Sequence, residues 1–154
     1  MAIYKETYWN GDDLTSQAIA EKNFDMGVNM GTGTAGKYLQ QAAVMCGQSL
    51  IVDGKVGQKT IAAVNECDES ALMTALCDVQ ENHYWYIVQR DLEKNAATRG
   101  WPSQLIEDAI LACKSKNLDI ALQCLKAAKS NRLKEGKLVF LKGWLKRASD
   151  RFGV

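Results

Sequence analysis

A single proline, Pro102, stands in the whole chain. Proline is the strongest interrupter of helices, because it lacks an N–H and its ring collides with the preceding turn. Its scarcity leaves the chain free to run in long helices, and the apolar spacing predicts that it does. The breaks fall on glycine instead: Asn10-Gly11, Gly31 to Gly33, Gly100 before Trp101-Pro102, and Gly136. The helices expected between them cover residues 3–9, 14–30, a segment opened by Thr34, 60–65, and a long one from Asp68 or Ser70 to Asn95. Beyond Pro102, three more are expected over 103–114, 118–128 and 138–152. Asp12 or Asp13 is the expected cap of the second helix. On the long helix, Leu72, Leu76, Val79, Tyr86 and Ile87 form the expected apolar stripe. No strand pattern emerges; residues 49–52 are at most a short extended piece. The fold class is all-α.

With 154 residues, 47% of them apolar, the chain is long enough to bury a core and reads as one domain, 1–154. No apolar run approaches the roughly 20 residues of a membrane span. The N-terminus lacks the basic start and apolar run of a signal peptide, so synthesis in a cytoplasm is expected. Five cysteines at 46, 67, 77, 113 and 124 form no C-x-x-C pair and read as reduced core thiols. The lone His83 has no ligand-spaced companion, so neither a metal nor another cofactor is expected. It also has no nucleophile pattern around it.

Net charge is +1, but it is unevenly spread. Residues 1–90 hold 6 Lys/Arg against 11 Asp/Glu, and residues 91–154 hold 13 against 7. A solvated helix face accounts for the basic tail more simply than an anionic partner does. No named nucleic-acid motif accompanies it.

The stretch Asp53-Gly54-Lys55-Val56-Gly57-Gln58-Lys59-Thr60 is the sharpest local pattern. Asp bonds its own backbone in turns, and Gly accepts positive φ or a close backbone approach. The run therefore predicts a tight turn opening a helix. Turn chemistry accounts for Asp53, Gly54, Gly57 and Thr60 as structural residues.

Several landmarks lie in order along the chain: Ile3-Tyr4 with Tyr8-Trp9; Phe24-Asp25, Val28-Asn29 and Gly31; Ala35; Leu39-Gln40-Gln41-Ala42; the Asp53 to Thr60 turn; Tyr84 and Tyr86; and Phe140-Leu141, Gly143-Trp144 and Arg147. Together they resemble the phage and prophage N-acetylmuramidases of glycoside hydrolase family 108, which carry a peptidoglycan-binding region of the third type. The resemblance covers about residues 1–90 and 136–148. It implies a lysozyme-like helical bundle, with residues 1–90 and 136–154 as scaffold and 91–135 as an inserted helical pair. It also implies glycan binding by Tyr8, Trp9, Asp25 and Asn29, and structural roles for Trp144 and Arg147.

Two departures from the family shape the functional expectation. The family's presumed catalytic acid lies in an upstream Glu-Gly-Gly-Tyr segment, and no Glu-Gly-Gly occurs in this sequence. Glycoside cleavage needs a protonated carboxyl with a raised pKa beside the leaving oxygen. Glu6, Glu21 and Asp25 are the carboxyls near the matched cleft, and none reads as that acid; the catalytic residue is unknown. The second departure is the insertion. The chain is expected to be a peptidoglycan-associated protein derived from a phage-type muramidase and inactive as it stands, with possible release to the cell wall. The alternative is a repurposed phage protein that binds and inhibits a host protein or defence complex. The partners are thus peptidoglycan glycan strands or a host protein, with nucleic acid not expected.

Overall fold

The computed structural model describes residues 13–154. The expected helix over 3–9, with Tyr8, Trp9 and Glu6, lies outside them. The described residues form seven α-helices and two short 3-10 helices, with no strand. The helices are α1 (Gln17–Met30), α2 (Thr32–Met45), α3 (Gln58–Glu66), α4 (Glu69–Asn95), α5 (Ser103–Lys114), α6 (Leu118–Ser130) and α7 (Leu141–Ala148). The all-α class read from the apolar spacing is the one observed. The described residues fall into two compact units: 13–80 with 149–154, and 81–148. No helix among the described residues is long and apolar enough to cross a membrane.

The first unit is built from α1 to α3 and the first half of α4. The cap of α1 is Ser16, not Asp12 or Asp13: its Oγ accepts the Ile19 N–H at 3.2 Å. A hydroxyl at the N-cap satisfies one of the donors a helix start leaves orphaned. Gly31, at φ +89, separates α1 from α2 alone, and Gly33 is already helical. The expected start at Thr34 is therefore two residues late. Asp68 caps α4, accepting from the Ala71 N–H at 2.9 Å. Ile19, Met26, Leu39, Leu72, Met73 and Leu76 are at most 1% exposed and meet in one core cluster with Ala35, Ala42 and Ala43. Each large side chain so buried contributes roughly 1.5–3 kcal/mol.

Residues 149–154 complete this unit, and they overturn the expected last helix over 138–152. Gly136–Phe140 is a 3-10 helix, and α7 ends at Ala148. Two long cationic side chains hold the tail. The Lys22 ammonium, wholly buried, donates to the Asp150 carbonyl at 2.8 Å. Burial lowers its proton affinity; the neighbouring Cys77, Asp25 and Asp150 oppose that shift. Arg151 donates to the Thr74 hydroxyl at 3.1 Å and the Ser70 carbonyl at 3.4 Å. Periodicity cannot register such long-range ties.

The second unit holds the rest of α4, then α5 to α7. Here the expected stripe on α4 needs correction. Tyr86 is 59% exposed, whereas Tyr84, Trp85, Val88 and Leu92 are buried. At about 100° per residue, position 86 faces away from 84 and 88. The repeat 72, 76, 80, 84, 88, 92 was present in the sequence, but polar Gln80 interrupted it. The helical pair expected over 91–135 appears as α5 and α6, which pack through Ala109, Ala112, Cys113, Ala121 and Cys124. Small side chains allow that approach. Asn117 caps α6 by accepting the Ile120 N–H at 3.1 Å.

A buried ion pair fixes how this unit's segments meet. Asp91 receives two 2.8 Å hydrogen bonds from Arg99, one of 3.0 Å from the Lys137 N–H and one of 3.3 Å from Asn95. A Cβ on Gly136, at φ +57, would lie 2.3 Å from the Arg99 guanidinium, so only glycine fits above the pair. Burial favours protonated Asp91, but these donors outweigh it and hold the carboxyl below its ordinary range. A depressed folded-state pKa gives stability that is present above the unfolded value near 4 and lost as pH falls through the folded one. Asp91→Asn is therefore expected to cost about 3 kcal/mol at neutral pH and to flatten the acid limb of the stability profile. Urea denaturation across acid to neutral pH measures both; a variant as stable as the parent at neutral pH would refute the ion-pair account.

Candidate functional site

The turn after α2 is organised by one amide. Gln40, 2% exposed, faces out of α2 toward the loop. Its Oε1 accepts from the N–H groups of Asp53 (3.0 Å) and Gly54 (2.8 Å). Its Nε2 donates to Asp53 Oδ1 (3.0 Å), the Lys55 carbonyl (3.1 Å) and Thr60 Oγ1 (3.2 Å). The Asp53 carboxylate also accepts the Lys55 N–H at 2.8 Å, the Asx turn expected of it. These bonds, Gln40's foremost, pull the Asp53 pKa down. Gln40 thereby reaches both the start of the turn and the first turn of α3.

Backbone proximity explains the glycines. A Cβ on Gly36 would sit 2.5 Å from the Gly54 carbonyl oxygen. On Gly54, at φ +83, it would sit 2.7 Å from the Gly33 oxygen. Helix α2 and the turn therefore touch backbone to backbone. Gly57 has open space at its Cβ position and φ −116, so the role given it in the turn is not a steric one.

Beside this clamp lies an open groove of about 700 Å³. Gln48, Ser49, Leu50 and Ile51 form one side, and Gln58, Lys59, Ala62 and Glu66 of α3 form the other. Gln40, Asp53, Lys55, Gly57 and Thr60 line it as well. Ile51 is 82% exposed, a large aliphatic side chain offered to solvent. Amides and a hydroxyl suit sugar hydroxyls and acetamides, while Lys55 and Lys59 suit carboxylates. Gly57, before α3, makes no side-chain cap bond. Cys46 and Cys67 are the residues that follow α2 and α3. The Cys67 thiol donates to the Ala63 carbonyl at 3.2 Å, and burial is the main cause that pushes its pKa up to about 11.

Of the expected glycan residues, Tyr8 and Trp9 lie outside the described residues, and Asp25 and Asn29 sit on α1. Asp25 and Asn29 share a face of α1, as their spacing predicted. Asn29 Nδ2 donates to the Asp25 carbonyl at 2.6 Å and to its carboxylate at 3.3 Å. Gln80 Nε2 lies 3.5 Å from the other carboxylate oxygen. Neither Asp25 nor Asn29 lines the groove. Trp144, in the second unit, stacks between Tyr84 and Phe140, while Arg147 is exposed on α7. His83 is half-buried with its pKa lowered by burial, and its ring meets the edge of Tyr84. Asp53, Asp91 and Glu93 all have lowered pKa values, the opposite of a general acid. The residues that sequence reasoning passed over are Gln40, Ile51 and Lys59. One signal was available: an Asp-Gly turn has N–H groups to satisfy, and Gln40 lies on the buried face set by Gly36, Leu39 and Ala43.

Residues 34–106 match the family model described as Predicted Peptidoglycan domain. The matched segment is a little under half of the chain, and it contains every residue lining the groove. The chain thus carries a peptidoglycan-domain region there. No curated protein and no solved structure matches the chain.

Two substitutions test the clamp. Gly to Ala inside a helix normally stabilises by about 0.5–1 kcal/mol. At Gly36 the Gly54 carbonyl blocks the added methyl, so Gly36→Ala is expected to destabilise by about 1–3 kcal/mol instead. A thermal melt that rises for this variant contradicts the close approach. Gln40→Ala strands the Asp53 and Gly54 N–H groups and should cost about 1–3 kcal/mol, with faster amide exchange confined to 53–60.

Proposed function

We propose that this chain is a peptidoglycan-associated protein that binds wall polymer through the groove between the 48–55 loop and α3. The observation that carries the reading is the coincidence of this groove with the segment matching the peptidoglycan-domain family. The chemistry of the lining agrees. Peptidoglycan offers acetamides and hydroxyls on its sugars and carboxylates on its stem peptides. Gln48, Ser49 and Gln58 suit the former, and Lys55 and Lys59 the latter.

The proposal includes descent from a phage-type muramidase and action by binding without cleavage. Cleavage needs a carboxylic acid kept protonated near neutrality. The groove's own Asp53 is held ionised by Gln40 and the Lys55 N–H. The rest of the lining contributes donors and acceptors that suit sugar hydroxyls and acetamides. A second reading, a non-enzymatic inhibitor of a host protein, has one observation in its favour. Leu105, Leu111 and Ile120 line an apolar groove on the α5–α6 pair, and Leu111 is 63% exposed.

Co-sedimentation with purified sacculi tests the first reading. The parent chain is expected to pellet with sacculi and to release no reducing ends. Ile51→Asp and Lys59→Glu should each weaken binding about tenfold, equivalent to about 1.4 kcal/mol, without altering the melt. A parent chain that stays in the supernatant defeats wall association; reducing-end release defeats the non-catalytic part.

A further inference from the structure

The second unit carries a feature apart from the groove. Three rings form a short stack. Tyr84, 3% exposed, lies 5.2 Å from Trp144 with planes 21° apart. Trp144 lies 5.6 Å from Phe140 at 26°. Phe140 is 55% exposed, and the preceding Val139 is 38% exposed. The stack therefore runs from the core outward and ends on a ring open to solvent. Phe140 precedes α7, and the inward side of that helix holds Leu141, Trp144, Leu145 and Ala148. Anchoring of this kind fixes the last ring's position at little entropic cost to a ligand.

The sequence on either side of that ring is strongly basic. From residue 134 to 147 the chain holds Lys134, Lys137, Lys142, Lys146 and Arg147 against the single acid Glu135. All five cationic residues are exposed. An apolar ring within a basic stretch fits a ligand with both a flat C–H face and negative charge.

We infer that the Phe140 face is a second glycan contact, stacking on one pyranose ring while the lysines of that stretch meet stem-peptide carboxylates. This inference rests on the peptidoglycan reading and deepens it, since it lies outside the 34–106 match. A pyranose presents C–H bonds on its flat side, which pack on an aromatic face by dispersion. One outer ring suits one sugar. A single-stranded nucleic acid is the competing polyanion, but it is gripped by several aromatic platforms along a charged groove. The inference accounts for Phe140 standing open on top of a buried stack and for the concentration of positive charge in the sequence on either side of it.

The test compares the full chain with Phe140→Ala, Phe140→Trp and Lys142→Glu against three probes: purified sacculi, a neutral chito-oligosaccharide, and a single-stranded oligodeoxynucleotide. Phe140→Ala is expected to weaken binding of both sacculi and the chito-oligosaccharide about tenfold. Phe140→Trp should restore both. Lys142→Glu should weaken only the anionic sacculi, and added salt should do the same. Sacculus binding unchanged in Phe140→Ala overturns the inference while leaving the groove reading intact. A parent chain that ignores sacculi defeats the groove reading; the chito-oligosaccharide titration then decides the Phe140 face alone, and no Phe140-dependent response overturns it. Oligonucleotide binding that is tighter than sacculus binding and lost in Phe140→Ala also overturns it, in favour of nucleic acid. Matching melting curves for the parent and variants separate loss of contact from loss of fold.

Discussion

Gln40 holds together the part of the first unit on which the candidate site depends. Its amide lies at a position where helical periodicity would put an apolar side chain. An unpaired buried amide is costly, so the residue is tolerable only because every polar atom finds a partner. Those partners are the turn's own backbone N–H groups, its Asp53 carboxylate, one carbonyl and the hydroxyl of Thr60. The same bonds that make Gln40 acceptable inside the unit fix the path of residues 53–60. The groove wall is thus a by-product of satisfying one buried side chain. The glycines allow this geometry: Gly36 and Gly54 bring the two backbones within reach of a single side chain.

The second unit solves its polar problem with charge instead of an amide. Asp91 and Arg99 are a buried pair whose remaining lone pair is taken by the Lys137 N–H. A desolvated ion pair contributes little net stability, but a misplaced one is expensive. Its role is to fix geometry: it ties α4, the short helix Ala97–Arg99 and the segment before α7 to one arrangement. That segment leads directly into the 3-10 turn bearing Phe140. The exposed ring therefore stands on a braced base.

Function in this chain is a matter of surfaces. The groove offers amides, hydroxyls and lysines, and the pKa of one of its two carboxylates, Asp53, is held down by Gln40 and the Lys55 N–H. That composition is compatible with the sugars and carboxylates of the wall polymer in the proposed binding role. A binding role also suits the site's openness, because a polymer must lie across it. Asp25 and Asn29, the pair expected to meet glycan, form a local hydrogen-bonded set on α1 in which each contacts the other.

Most of the helical pattern was legible in the sequence. Apolar spacing, scarce proline and glycine punctuation are local signals, and helix hydrogen bonds are local too. The Asp53 to Thr60 turn was equally readable, since Asp and Gly encode it within eight residues. Other features depended on partners far along the chain. Ser16 rather than Asp13 starts α1, Tyr84 rather than Tyr86 faces inward, and α7 stops at Ala148 so that Asp150 and Arg151 reach Lys22, Ser70 and Thr74. The sequence by itself determined where helices form and where the chain turns. Only the tertiary structure decided what fills Gln40, what opens as a groove and which ring ends a stack, because each depends on contacts whose partners are distant in sequence.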